Sequence, residues 1–514
     1  MNLHASQAEI DVLEGVLRRA ASGGSVVAAK VALAWHLRQR DSGRTLQLVQ
    51  EVMPVVRAAR ASQADAAASC HARAALAAAE ASALFDEAVE AERLLTDARA
   101  NLDPAWDPQA EGDAWLVESL VARTRGQAER ALAALRQAAR CYARLGDDER
   151  LEVAQSWITW EHMATCPDVD AIDAAAGTDP DDLDGDSARD AILGAARALA
   201  LACRNPAGAT RLFTRAGQIA HARGLVQLEM ACLLEAGAAV RELGDYERAA
   251  RSFDAAAARA RATRWPALIV ACDTHLGALL CDLGAFEDSR RTLEASVDAL
   301  SARSRGVLLA NAHAALASTL LAMRRTSESV AQMDAAMDLF RAAGGLRDLA
   351  LNLVRQGRIF TAALQPGRAS DALAEARMLI DARGLDAMHV ALQEAQADLH
   401  HRFTIAPPAG MTLPSAALHF AEAALAAGQK LMGWDARAAQ LDFVAERWAD
   451  AGDHERAYGY ARRALAAKER ETAQKMSYPL ALLRVRRHAE VRAMPEGARD
   501  GAASRAAPQA PSPH

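Results

Sequence analysis

The stretch Leu243-Gly-Asp-Tyr-Glu-Arg-Ala-Ala-Arg-Ser-Phe253-Asp-Ala-Ala256 decides the fold, because its spacing of small and large residues recurs every 40 residues. Ala249-Phe253-Ala256 is preceded by Ala209-Phe213-Ala216 and followed by Ser289-Leu293-Ser296, Ser329-Met333-Ala336 and Ala369-Leu373-Ala376. A second set keeps the same period: Gly237, Gly277, Ala317 and Gly357, each followed three residues later by Val240, Leu280, Leu320 or Phe360. Self-similarity at a fixed period marks stacked supersecondary units. Small residues are required where two helices approach closely, and the large one fills the space between neighbours. A unit of two helices cannot bury its apolar face alone, so the units must stack into a solenoid.

The remainder of the chain extends this pattern. Ala91-Leu95-Ala98 and Ala131-Leu135-Ala138 repeat it upstream, and Ala417-Ala421-Ala424 and Ala457-Ala461-Ala464 repeat it downstream. Five segments follow: N-terminal helical repeats over 1–165, an acidic loop over 166–189, a regular array over 190–385, further helices over 386–493 and a disordered tail over 494–514. The tail is rich in Ala, Pro, Ser and Gly and has too little apolar surface to order itself. Within the first segment, helices are expected from Ser6 to Ala20, from Val26 to Arg40, and from there to near Arg60. Trp35 is expected to anchor the second of them, and Trp106 to pin the Asn101–Pro108 loop. Pro479 interrupts any continuous helix at the C-terminal end.

Composition agrees. Half the residues are apolar (51%), a quarter are charged (24%), and only 4% are aromatic. The abundant alanine has the best helix propensity, so the expectation is all-α. The net charge of −7 gives no global invitation to nucleic acid or an anionic membrane. No apolar run is long enough to span a bilayer. Glu9, Asp11 and Glu14 stand where a signal peptide would need its basic and apolar regions, so a cytoplasmic location is expected. The seven cysteines show no CxxC spacing and read as reduced, mostly buried side chains.

The 243–256 stretch resembles a tetratricopeptide (TPR) repeat, with Gly237 at the family's first-helix glycine. The resemblance implies a right-handed α-solenoid of TPR-like helix pairs, and the 40-residue period implies a wider superhelix than the family's usual 34. A second resemblance lies in Ala451–Arg470, continuing through Leu483-Arg-Val-Arg-Arg-His488. It is similar to the segment that closes a TPR sensor region just before a GGDEF-type output domain in proteobacterial signalling proteins. No Gly-Gly-Asp-Glu-Phe motif occurs in this chain.

Chemistry is sparse. HExxH, GxxxxGK[ST], GxSxG and a dinucleotide fingerprint are all missing, so no catalytic residue, cofactor or metal is expected. An EF-hand over Asp182–Gly185 would need an oxygen ligand at Pro180 and a glutamate at Ala191, and the run reads as a solvated loop whose Asp186 or Ser187 caps the next helix. His162 and Cys166, four apart, form at most half a metal site. Trp157 and Trp160 are expected to pack in the core or along a helix seam. The basic helix Arg484–His488 lacks the aromatics of a single-strand binder and reads as a solvated helix end.

In TPR arrays the first helix of each pair lines the concave groove. The resemblance then places Leu234, Arg241, Thr274, Asn311, Leu351 and Arg358 on the groove wall, among small residues such as Ala231, Ala238, Ala271 and Ala278. Arginines on such a wall hold a carboxylate or an acidic side chain, or else pair with neighbouring acids. The expected function is a non-enzymatic protein- or peptide-binding scaffold in bacterial signal transduction. The alternative is a small-molecule or peptide-pheromone sensor acting on a separate output protein.

Overall fold

The structure, a computed structural model, describes residues 2–19, 24–61, 65–103, 105–165, 185–301, 306–475 and 478–493. The described residues form an all-α solenoid with no strand among them. The first part runs α1 (Gln7–Arg19), α2 (Gly24–Leu37), α3 (Ser42–Ala61), α4 (Asp65–Leu84), α5 (Ala88–Arg99), α6 (Ala110–Thr124), α7 (Ala128–Leu145) and α8 (Asp148–Thr165). Most of the acidic loop, and Cys166 with it, lies outside the described residues, as does the 494–514 tail. At its far end Ser187 caps the next helix as expected, and closes a capping box with Asp190.

The regular array is α9 (Ala188–Ala202), α10 (Pro206–Arg223), α11 (Val226–Glu242), α12 (Tyr246–Thr263), α13 (Pro266–Asp282), α14 (Phe286–Ser301), α15 (Val307–Ala322), α16 (Thr326–Ala343), α17 (Leu346–Ala362) and α18 (Pro366–Arg383). Then come α19 (Met388–Arg402), α20 (Ala416–Gln429), α21 (Ala438–Asp450), α22 (His454–Lys475) and α23 (Tyr478–Ala493).

The two repeating sets meet directly in three pairs of the array. A Cβ added to Gly237 would lie 2.4 Å from the Phe253 ring, one on Gly277 2.7 Å from Leu293, and one on Gly357 2.5 Å from Leu373. The large residue of each second helix therefore rests on the backbone of the first. Phe253, Leu293, Met333 and Leu373 are all buried, as are the small residues flanking them in the motif. Where the flanking residue is serine, its hydroxyl also binds the first helix: Ser289 and Ser329 each donate to the carbonyl of Gly277 or Ala317 at 2.7 Å. A buried hydroxyl is thereby satisfied at the contact that sets the helix spacing.

Turns between the two helices of a pair repeat at the same period. Gly244 (φ 84°) and Gly284 (φ 79°) take the left-handed conformation, and Arg324 (φ 60°) and Leu364 (φ 58°) take it in the next two pairs without the freedom of glycine. In the N-terminal part, charge reinforces packing. The fully buried Asp113 accepts from Arg73, Tyr142 and Arg150, and Arg73 also grips Asp107 in bidentate fashion. Asp107, and not Trp106, therefore fixes the 101–108 loop; the Trp106 ring is 56% exposed. Trp35 is buried as expected.

Hydrogen bonds also join parts of the superhelix that are far apart in sequence. Arg40 donates to the carbonyl of Ala222 across a separation of 182 residues, and the Trp265 indole donates to Ser42 across 223. One turn later the Ala387 amide donates to the Cys203 carbonyl at 2.7 Å, beside an Arg204–Asp386 ion pair. Successive turns therefore touch.

The last helix also departs from expectation. α23 is not a solvated end: it returns to pack on α12, with Ala481 and Val485 buried and the Tyr478 ring 5.1 Å from that of Tyr246. Arg484 pairs with Glu247 and Arg486 with Asp288. The side chains of 487–493 lie outside the described ones.

The steric role of the small residues gives a sign test. Gly277→Ala forces a Cβ into Leu293 and should lower stability by ~1–3 kcal/mol. Gly459→Ala, in α22 with open space around it, should raise stability by up to about 1 kcal/mol through helix propensity alone. Urea denaturation of the two variants checks the opposite signs. Leu364→Gly, at an exposed left-handed position, should raise the melting midpoint, by roughly 1 kcal/mol of relieved strain.

A candidate groove for an extended peptide

The inner wall of the array is made by first helices, and it is more charged than the sequence suggests. Arg241 lies half-buried on α11 and pairs with Asp282 of α13 at 3.0 Å. Arg358 of α17 donates to Glu394 of α19 at 2.7 Å and to the Ala391 carbonyl at 3.1 Å. Glu394 is also bound by Arg437 at 2.7 Å and by Gln440. Burial opposes its ionisation, but Arg437 and Arg358 outweigh burial and hold the carboxyl below its ordinary range. Asn311 and Leu351 are half-buried on their helices. Leu234 and Thr274 are buried in the wall, and the Thr274 hydroxyl is taken up by the Val270 carbonyl.

On α11 the accessible residues match the expected stripe except at Leu234, where Glu235 is accessible instead. Ala231, Glu235, Ala238 and Glu242 are accessible on α11, whereas Leu234 is not. Spacing of three and four from Ala231 could have found Glu235 in the sequence. Its partner Arg347, 3.7 Å away on α17, has no such local signal, because superhelical closure brings it there. Arg355, Asp348 and His275 join the same interior. Burial raises the Glu235 and Asp348 carboxyls, and lowers Arg355 to about 10, with Arg241 adding to the effect. His275 is lowered to about 4 by burial and by the neighbouring Arg241 and Arg355.

A second stretch of the inner wall was not legible at all. First helices α2, α4, α6 and α8 line a groove through Trp35, Glu80, Leu120 and Trp157, with Arg38 from the turn after α2. Residues 2–5 lie across it without helical structure. The Trp35 indole donates to the Asn2 carbonyl at 3.0 Å, Arg38 to that of Leu3 at 2.9 Å, and Arg40 to that of Ala5 at 2.9 Å. Leu3 and Ala5 are buried. Arg38 is itself only 5% exposed; Glu80 holds its Nε at 2.7 Å, and its guanidinium lies 4.0 Å from the Trp35 ring centre. Gln39 binds the other oxygen of Glu80. Trp157 and Trp160 meet edge to face, 6.4 Å apart, half-buried along the groove side of α8.

For catalysis this interior offers no convergent set. Among the described residues no group of three or more His, Cys, Asp or Glu side chains is placed to hold a metal ion. No helix among them is long and apolar enough to cross a membrane. What the interior can do is hold main-chain carbonyls through fixed donors and match charges on an entering segment.

No family model matches the chain, and no curated protein matches it. Solved structures of similar fold include the Cut9–Hcn1 hetero-tetramer of the APC/C, with 12% identity, a TM-score of 0.45, and 97% of this chain and 90% of that one covered. A Rap protein complexed with Competence and Sporulation Factor has 13% identity and a TM-score of 0.38, covering 88% of this chain and 100% of that one. Yeast Tom70 has 13% identity and a TM-score of 0.31, covering 90% and 92%. At these values no function passes from them to this chain.

The buried imidazole makes a pH test. A histidine whose folded pKa lies below its unfolded one stabilises the fold above the unfolded value, and that stability is lost as pH falls through the folded one. Between pH 6.5 and about 4, His275→Gln should therefore lose less stability than the native chain, by ~1–2 kcal/mol for a partly screened group. Urea midpoints at pH 7 and pH 4.5 for both proteins give the comparison, in which the buried carboxyls cancel.

Proposed function

We propose that the chain is a non-enzymatic scaffold that binds a protein or peptide segment along the inner face of its superhelix. The observation that carries this is the groove of α2, α4, α6 and α8, where three side-chain donors already hold carbonyls of a non-helical stretch of polypeptide. Specific recognition of main chain in an extended segment supplies affinity, and the flanking charges supply selectivity. Farther along, Arg241, Arg355 and Arg358 alternate with Glu235, Asp282 and Glu394, so a segment carrying both signs of charge is favoured over nucleic acid.

The resemblance of Ala451–His488 to the closing segment of TPR sensor regions supports a role in bacterial signal transduction, in the cytoplasm, with the output on a separate protein. A peptide sensor is the form of the alternative that the groove favours. The cavity beside Leu3 and Trp157 measures about 40 Å³, room for a few water molecules and not for a drug-sized compound.

Affinity capture from the native cytosol, with mass spectrometry of the retained proteins, tests the reading. The double variant Arg241→Gln, Arg358→Gln should retain its partner at least about tenfold less well, given the ~1.5–3 kcal/mol of hydrogen bonds to charged groups. Its far-UV circular dichroism should stay native. Retention equal to that of the native chain would remove the Arg241–Arg358 stretch of the inner face from the binding site.

A further inference from the structure

Residues 2–5 are held by side-chain donors along their backbone. Three donors at the end of α2 and in the turn after it, namely Trp35, Arg38 and Arg40, meet the carbonyls of residues 2, 3 and 5 within 2.9–3.0 Å. The Leu3 side chain is 5% exposed and Ala5 2%. Ser6 then caps α1, with Glu9 accepting from the Ser6 amide at 2.7 Å, so the segment is fixed at its downstream end. Nothing in the recognition depends on which chain the carbonyls belong to. Trp35 and Arg38 are held in place by the protein itself: Glu80 and the Trp35 carbonyl fix the guanidinium, and that guanidinium lies over the indole. If residues 2–5 leave, the indole N–H and the outer Arg38 nitrogen are left without those partners in a groove lined by Leu116, Leu120 and Trp157. A site so equipped selects an extended backbone with an aliphatic side chain at one position and a small one two residues on.

We propose that residues 2–5 are a built-in ligand of the peptide groove, and that an incoming extended peptide with an aliphatic-x-small pattern displaces them to bind there. This rests on the peptide-binding reading above and adds its regulation: the groove is closed in the resting chain and opens only to a segment that outcompetes the tethered one. The tether places the internal segment at high effective concentration, so the resting chain discriminates against weak ligands.

The test uses the full chain and a fluorescein-labelled synthetic peptide of residues 2–9, Asn-Leu-His-Ala-Ser-Gln-Ala-Glu, read by fluorescence anisotropy. Leu3→Asp releases the internal segment and should bind the peptide at least tenfold more tightly than the native chain does. Leu3→Ser, which removes only the aliphatic group, should shift binding in the same direction and keeps the test informative if the aspartate variant fails to fold. Adding Arg40→Ala to either variant should weaken the peptide at least fivefold. Equal affinity of native and released chains, or no binding to any of them, overturns the proposal. Partner retention by the native chain is read separately: a partner held through Arg241 and Arg358, with no peptide bound at the released groove, leaves the scaffold standing and removes the built-in ligand. Peptide binding to the released groove with no partner retained does the reverse.

Discussion

Each helix pair of the array depends on one contact, the side chain of a second helix lying on the bare backbone of the first. At Gly237 and Phe253 no room remains for even a methyl group between them. This sets how near the two axes come, and helix-pair geometry follows from that distance and the side chains around it. The same contact recurs with leucine at Gly277 and Gly357, and Ala317 and Met333 are buried in one core cluster. Identical steps add up to a regular superhelix.

Tight steps decide what the interior becomes. Because the chain returns upon itself, as Arg40 does at Ala222 and Cys203 at Ala387, first helices distant in sequence look at one another across a narrow space. Charges that would be solvated on an open concave wall are instead paired, Glu235 with the distant Arg347 and Arg358 with Glu394 of the next first helix. Burial then works on their ionisation, raising Glu235 and lowering Arg355 and His275. Such pairs are weak sources of stability and good sources of specificity, since a partner must replace them with equal geometry. The N-terminal groove follows a different rule. There the donors meet main-chain carbonyls, and the occupant is the protein's own segment.

How far the sequence could be read follows from the range of the interactions. The pairing of Gly237 with Phe253 is local, repeats four times and needs no knowledge of the third dimension, so period, helix boundaries and core were all legible. Leu234 and Thr274, expected on the wall, are buried, since a helical stripe cannot be oriented to better than a residue without its neighbours. Arg347 opposite Glu235, and α23 on α12, join residues more than a hundred positions apart and leave no periodic trace. Residues 2–5 carry no motif at all; their place is set by donors at the end of α2 and in the turn after it, which read in the sequence as ordinary arginines and a core tryptophan. The left-handed turns at Arg324 and Leu364 show the converse: the period there predicts glycine, and the fold keeps the turn without it.

The most direct measurement is a double-mutant cycle between Gly237→Ala and Phe253→Leu, by urea denaturation of the four chains. If the ring resting on the glycine sets the helix spacing, shortening the ring makes room for the methyl group. The double variant is then more stable than the sum of the single losses predicts, by about 1 kcal/mol or more. Losses that add to within ~0.3–0.5 kcal/mol would mean that the two residues do not constrain each other, and the account of how this superhelix is wound would fall with that contact.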